Sequence, residues 1–151
     1  MRKSIIFLTI MLFNSSLFAQ EETLFLSCGV CSKYCDEFGD LEGMPNRLVV
    51  IDNLPKSSTN GETKGKVFGV GANWYNWMDA VVIYDPRRIF IEYKLPGEGT
   101  LLGSDRFRDF TIERSTMSYD DPEDACSVKS KEELENTAKK ITEILMQQNK
   151  L

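Results

Sequence analysis

The 151-residue chain contains no histidine. That absence removes the commonest general base, the commonest zinc ligand and the only side chain whose unperturbed pKa lies in roughly the pH 5 to 8 range. Ser-His-Asp, Cys-His and HExxH sites are thereby excluded. Cysteine is scarce, with four residues, and beyond Phe13 there is no long apolar run, so nothing after the N-terminal segment is expected to span a bilayer. The sequence shows no internal repeat and no low-complexity tract. Its one Asn-x-Ser/Thr sequon, Asn14-Ser15-Ser16, lies near the N-terminus, which fits a bacterial exported chain.

What is present is the composition of an ordinary single globular domain, 42% hydrophobic and 27% charged. Arg2 and Lys3 precede an uncharged, mostly apolar run from Ile5 to Phe13, followed by a polar stretch and then Leu17-Phe18-Ala19 before Gln20. This reads as a secretory signal peptide over residues 1–19, because the apolar run is about half the roughly 20 residues needed to cross a membrane and Ala19 is small enough to precede the cut. No cysteine follows directly, so lipid attachment is not indicated. Cleavage removes two bases and no acid, taking the formal charge from −5 to −7 over residues 20–151. Such a chain repels phosphate backbones and anionic head groups, which argues against nucleic acid and membrane surfaces as partners.

Residues 23–27 (TLFLS) and 48–52 (LVVID) read as buried strands. A polar stretch with Asn60-Gly61, the strongest hairpin dipeptide, leads to a third strand over residues 66–70. Residues 80–84 and 89–95 form the clearest pair, joined by Asp85-Pro86-Arg87-Arg88, which suits a type I turn. In the second of them Ile89, Ile91, Tyr93 and Leu95 alternate with Glu92 and Lys94, and Phe110 and Ile112 point inward from residues 108–114. The C-terminus reads as one amphipathic helix over about residues 130–148. Ser130 and Glu133 form a capping box, Leu134, Ala138, Ile141, Ile144 and Leu145 form an apolar stripe, and Glu135 lies four residues before Lys139. The fold class is mainly β (α+β): an antiparallel meander of five or six strands forming a small barrel or sandwich, with the helix laid on an end or face of the sheet.

The cysteines carry the sharpest chemistry. Four in an exported chain point to structural disulfides, preferably Cys28 with Cys126 and Cys31 with Cys35; Cys28 with Cys31 and Cys35 with Cys126 is the alternative. A second reading is redox: Cys28-Gly29-Val30-Cys31 after an apolar strand resembles the thioredoxin-like centre. That resemblance implies Cys28 as attacking thiolate and Cys31 as resolver, although the strand and helix that normally precede such a motif are missing. Three thiolates within eight residues would also suit a soft metal, but the spacing matches no zinc or iron–sulfur pattern, so no metal and no cofactor is expected.

Trp74, Tyr75 and Trp77, beside Asn73, Asn76 and Asp79, are candidates for an aromatic platform for a sugar or peptide, with buried packing as the competing reading. Gly69-Val70-Gly71 lacks the third glycine of a dinucleotide loop and reads as a softened strand end. The acidic runs Asp36, Glu37, Asp40, Glu42 and Asp120, Asp121, Glu123, Asp124 lack EF-hand spacing and read as solvated loops.

The export signal, Cys28 ending the first strand, the meander, and the 112–119 segment (IERSTMSY) followed by Cys126 together resemble small exported bacterial β-rich proteins of unknown function bracketed by cysteines. The likeness runs over about residues 23–128 and implies a last strand pair just before the closing cysteine. The chain is also built similarly to periplasmic lysozyme inhibitors, but their Ser-rich, Gly-Ala-Arg-Tyr inhibitory loop has no counterpart here. The expectation is a periplasmic or secreted, disulfide-stabilised, non-enzymatic domain acting as a binding or inhibitor-type module on an unidentified protein or small ligand. A thiol–disulfide oxidoreductase using Cys28 and Cys31 is the alternative.

Overall fold

The fold is given by a computed structural model that describes residues 21–30, 41, 43–56, 59–69, 76–95, 107–119 and 121–148. The expected signal peptide, Cys31 and Cys35 lie outside the described residues. Eight strands occur among them: β1 (Glu21–Cys28), β2 (Arg47–Pro55), β3 (Gly61–Gly69), β4 (Trp77–Tyr84), β5 (Arg88–Lys94), β6 (Phe107–Glu113), β7 (Ser118–Tyr119) and β8 (Asp121–Val128), followed by helix α1 (Lys131–Gln148). Each pairs antiparallel with the next, and β8 returns to β1, so the meander curls into a barrel. The closing seam is narrow, with Leu26, Ser27 and Cys28 opposite Val128, Ser127 and Cys126.

Strand alternation explains the two hydrophobic clusters. Val49 and Ile51 of β2, Val67 of β3, Met78, Ala80 and Val82 of β4, Ile89, Ile91 and Tyr93 of β5 and Phe110 and Ile112 of β6 all point inside the barrel. Tyr93 and Phe110 meet edge to face at 6.2 Å, and the Arg47 guanidinium lies 4.7 Å over the Phe110 ring. The unbroken apolar run Leu48-Val49-Val50 is needed because β2 is covered on both sides: Leu48 and Val50 face outward, where α1 lies. Leu134, Ala138, Ile141 and Leu145 of the helix bury against Leu48, Phe68 and Leu41, with Phe25, Met44, Val50 and Ile144 at the margin. Of the two placements expected for the helix, an end or a face of the sheet, the fold adopts the face.

Several local readings need correction. The third strand begins at Gly61, five residues earlier than the apolar pattern suggested, and Asn60-Gly61 therefore sits at a strand head. Neither residue has the positive φ that a two-residue hairpin turn demands. The left-handed asparagine is Asn53 (φ 51°), at a bulge where Asp52 and Asn53 of β2 oppose the single residue Thr23. That extra residue lets Asp52 stay toward solvent while Leu54 turns back inside. The acidic residues 121–124 open strand β8 where a loop was expected.

A tight connection forms at 85–88 where the sequence suggests a turn, closed by the Asp85 side chain. Asp85 N–H donates to the Arg88 carbonyl at 2.9 Å, and the Asp85 carboxylate accepts from the Arg87 and Arg88 amides at 2.6 and 2.7 Å, which holds its pKa below the ordinary aspartate value. Arg114 ties this end of the barrel together by donating to the Asp85 and Pro55 carbonyls at 3.0 and 3.1 Å. On α1 the capping box is complete: Glu133 N–H donates to Ser130 Oγ at 3.2 Å, and Ser130 N–H to Glu133 Oε2 at 2.8 Å. The expected Glu135–Lys139 pair is replaced by Lys131–Glu135 and Lys139–Glu143, at 3.8 and 3.9 Å.

Candidate functional site

Two places hold residues singled out in the sequence. The first is the seam. Cys28 and Cys126 are direct cross-strand neighbours joined by a disulfide, with Cα atoms 3.9 Å apart and both residues buried. Gly29 N–H donates to the Ala125 carbonyl and Lys129 N–H to the Phe25 carbonyl, so hydrogen-bonded positions alternate along β1 and Cys28 falls between them. Facing residues approach closest at such non-hydrogen-bonded positions, which suits a short cross-strand bridge. Ser127 Oγ adds a bond to the Ser27 carbonyl at 3.4 Å. With its sulfur bonded and its surface buried, Cys28 is held as a structural element.

The second place is the flank of α1. The outward row of β3 and β4 sets Lys66 opposite Asp79 and Phe68 opposite Trp77. Phe68 is buried beneath the helix, and Trp77, 36% exposed, leans on it edge to face at 5.5 Å. Trp77 thus stands as a ridge beside the helix with a groove on either side. The larger, about 610 Å³, has Phe25, Val50, Leu134 and Trp77 as apolar lining and Thr23, Asp52, Lys66, Lys131 and Glu135 as polar groups. The smaller, about 330 Å³, lies toward the helix C-terminus between Phe68, Asn76 and Trp77 on one side and Ala138, Thr142 and Met146 on the other. Glu135 and Trp77 line both.

These volumes and this mixture of apolar lining with a few polar groups are those of ligand-sized clefts. The polar groups balance in sign: Lys131 pairs with Glu135, and Lys66 and Asp52 share the opposite wall. The β2 bulge helps to shape the larger groove, because it places Thr23 and Asp52 at its edge.

Of the three aromatic candidates, Trp77 lies in this cleft, while Trp74 and Tyr75 lie outside the described residues. So do Asp36, Glu37, Asp40 and Glu42. Among the described residues no group of three or more acids, cysteines or histidines is arranged to hold a metal ion. Sequence reading missed Phe25, Val50, Lys66 and Glu135 as groove residues. The available signal was the doubly apolar LVVID run, which announces a second covered face and hence a helix edge running along it.

Comparison with protein-family models, curated proteins and solved structures returned no match.

Proposed function

We propose that the chain is an exported, non-enzymatic binding module that engages a small ligand or a protein segment along the two grooves flanking Trp77. The observation that carries this reading is a large indole held half-exposed between two clefts by a buried partner ring. Fully buried, Trp77 would be packing; here part of its ring surface is left facing open cleft space. Export is supported by the basic-apolar-small pattern of residues 1–19 and by a disulfide, which persists in oxidising compartments. The redox alternative requires Cys28 to be released from Cys126 before it could pair with Cys31, and the buried cross-strand bridge opposes that.

Two measurements test the proposal. Cell fractionation of the full chain is expected to yield a mature form beginning at Gln20 outside the cytoplasm, and an uncleaved cytoplasmic product would defeat the export claim. Tryptophan fluorescence against panels of oligosaccharides and peptides is expected to shift for at least one member and to lose that shift in Trp77→Ala. A ligand whose affinity is unchanged by that substitution would move the site elsewhere.

A further inference from the structure

We propose that Asn60 is a site of spontaneous covalent modification, losing its side-chain amide through a cyclic imide with Gly61 to leave aspartate or isoaspartate at the head of β3. Among the described asparagines, Asn46, Asn53, Asn76 and Asn136 are followed by Arg47, Leu54, Trp77 and Thr137, whereas Asn60 alone is followed by glycine. In the reaction the Gly61 backbone nitrogen attacks Asn60 Cγ. A new N–C bond forms, the Cγ–Nδ2 bond breaks, and ammonia leaves with the proton from the Gly61 nitrogen. Water then opens the imide at either carbonyl, so one water is consumed, one ammonia is released, and nothing is oxidised or reduced. A side chain on the following residue shields its nitrogen, and glycine has none.

A side chain at position 61 would displace the Tyr84 ring. A Cβ on Gly61 would run into the Tyr84 hydroxyl and lie 2.7 Å from Tyr84 Cζ, since Gly61 and Tyr84 face each other across β3 and β4. The packing of Tyr84 against Gly61 therefore favours, directly after Asn60, the one residue that carries no side chain of its own. Asn60 is exposed, and it borders an open depression of about 330 Å³ shared with Ile83, Tyr84, Asp85 and Arg88, so water and departing ammonia have free passage. Because the dipeptide sits at the strand head, the product has a structural consequence. Isoaspartate adds a methylene to the main chain one residue before the first β3–β4 pair, and either product adds a carboxylate beside Asp85 and Glu62.

The test uses the oxidised, folded chain, aged in mildly alkaline buffer and then digested for peptide mass mapping, with a denatured sample aged alongside. The expected result is a gain of one mass unit confined to the peptide holding Asn60, part of it accepting methyl groups from an isoaspartate-specific methyltransferase, and abolished in Asn60→Gln. The proposal is overturned if the folded chain keeps Asn60 intact while the denatured chain converts it, if neither converts, or if another described asparagine converts first.

Discussion

The barrel interior and the helix-covered flank are both hydrophobic, yet they are built to different standards. Inside the barrel, side chains from seven strands close on one another around Phe110 and Ile91, and the wall is fastened by Cys28–Cys126. On the flank, a single stripe of α1 covers Leu48 and Phe68 and stops, leaving a groove on each side of Trp77. The interior spends its apolar surface on self-contact. The flank keeps some of it open, and that difference leaves apolar cleft surface where the covering layer is one helix wide.

The comparison can be broken most forcefully at the seam. Reduction, or Cys28→Ser with Cys126→Ser, removes a closure spanning 98 residues and is expected to lower unfolding free energy by about 4 to 5 kcal/mol in the chain-entropy picture, read by urea titration with and without reductant. A midpoint that barely moves would mean that the hydrogen-bonded sheet alone holds the wall shut.

Within the interior, Phe110→Ala is expected to cost about 3 to 5 kcal/mol, against about 2 to 5 kcal/mol for Ile141→Ala on the flank. The sharper contrast lies in what opens. Hydrogen exchange should show Ile141→Ala releasing the α1 amides while β4 and β5 stay protected, whereas Phe110→Ala should raise exchange throughout. Coincident release in both variants would merge the two regions into one cooperative unit.

The smallest effects belong to the helix start. Ser130→Ala is expected to cost about 1 kcal/mol, measured by thermal melting, as one side of the capping box is lost. The hydrogen bonds from Ser130 hold the Glu133 carboxyl below the ordinary glutamate value, so its contribution is complete above that value and disappears as pH falls through the lower folded one. Melting of the parent chain should therefore lose ground to Glu133→Gln on acidification, and parallel pH curves for the two would contradict the box.

Elements with a strong local pattern were readable in advance. The Ile89-Ile91-Tyr93 alternation, the reversal at Asp85 and the Ser130–Glu133 box each depend on residues within a few positions of one another, and all three form. Strand β8 was hidden because its opening acids resemble a loop, and what makes it a strand is pairing with the adjacent β7 on one side and with β1, about a hundred residues away, on the other. The early start of β3 escaped notice for a similar reason: Gly61 and Gly65 look like breakers. Yet a Cβ on Gly65 would sit 2.5 Å from the Val50 carbonyl oxygen, so glycine marks a close approach of two strands. The Trp77 cleft was legible only as a cluster of aromatics, since its other wall comes from a helix more than fifty residues away in the chain.

The bulge at Asn53 and the cysteine seam together constrain assembly in a further way. A strand shifted by one residue turns every side chain to the opposite face. Were β8 to settle against β1 one position out, Cys126 would face away from the interior and could not reach Cys28. Oxidation of this pair thus acts as a register check, available only after the intervening strands have curled far enough to bring residues 98 apart into contact. A chain that closes in the wrong frame lacks the Cys28–Cys126 bond, and that chemical difference distinguishes it from one that has closed correctly.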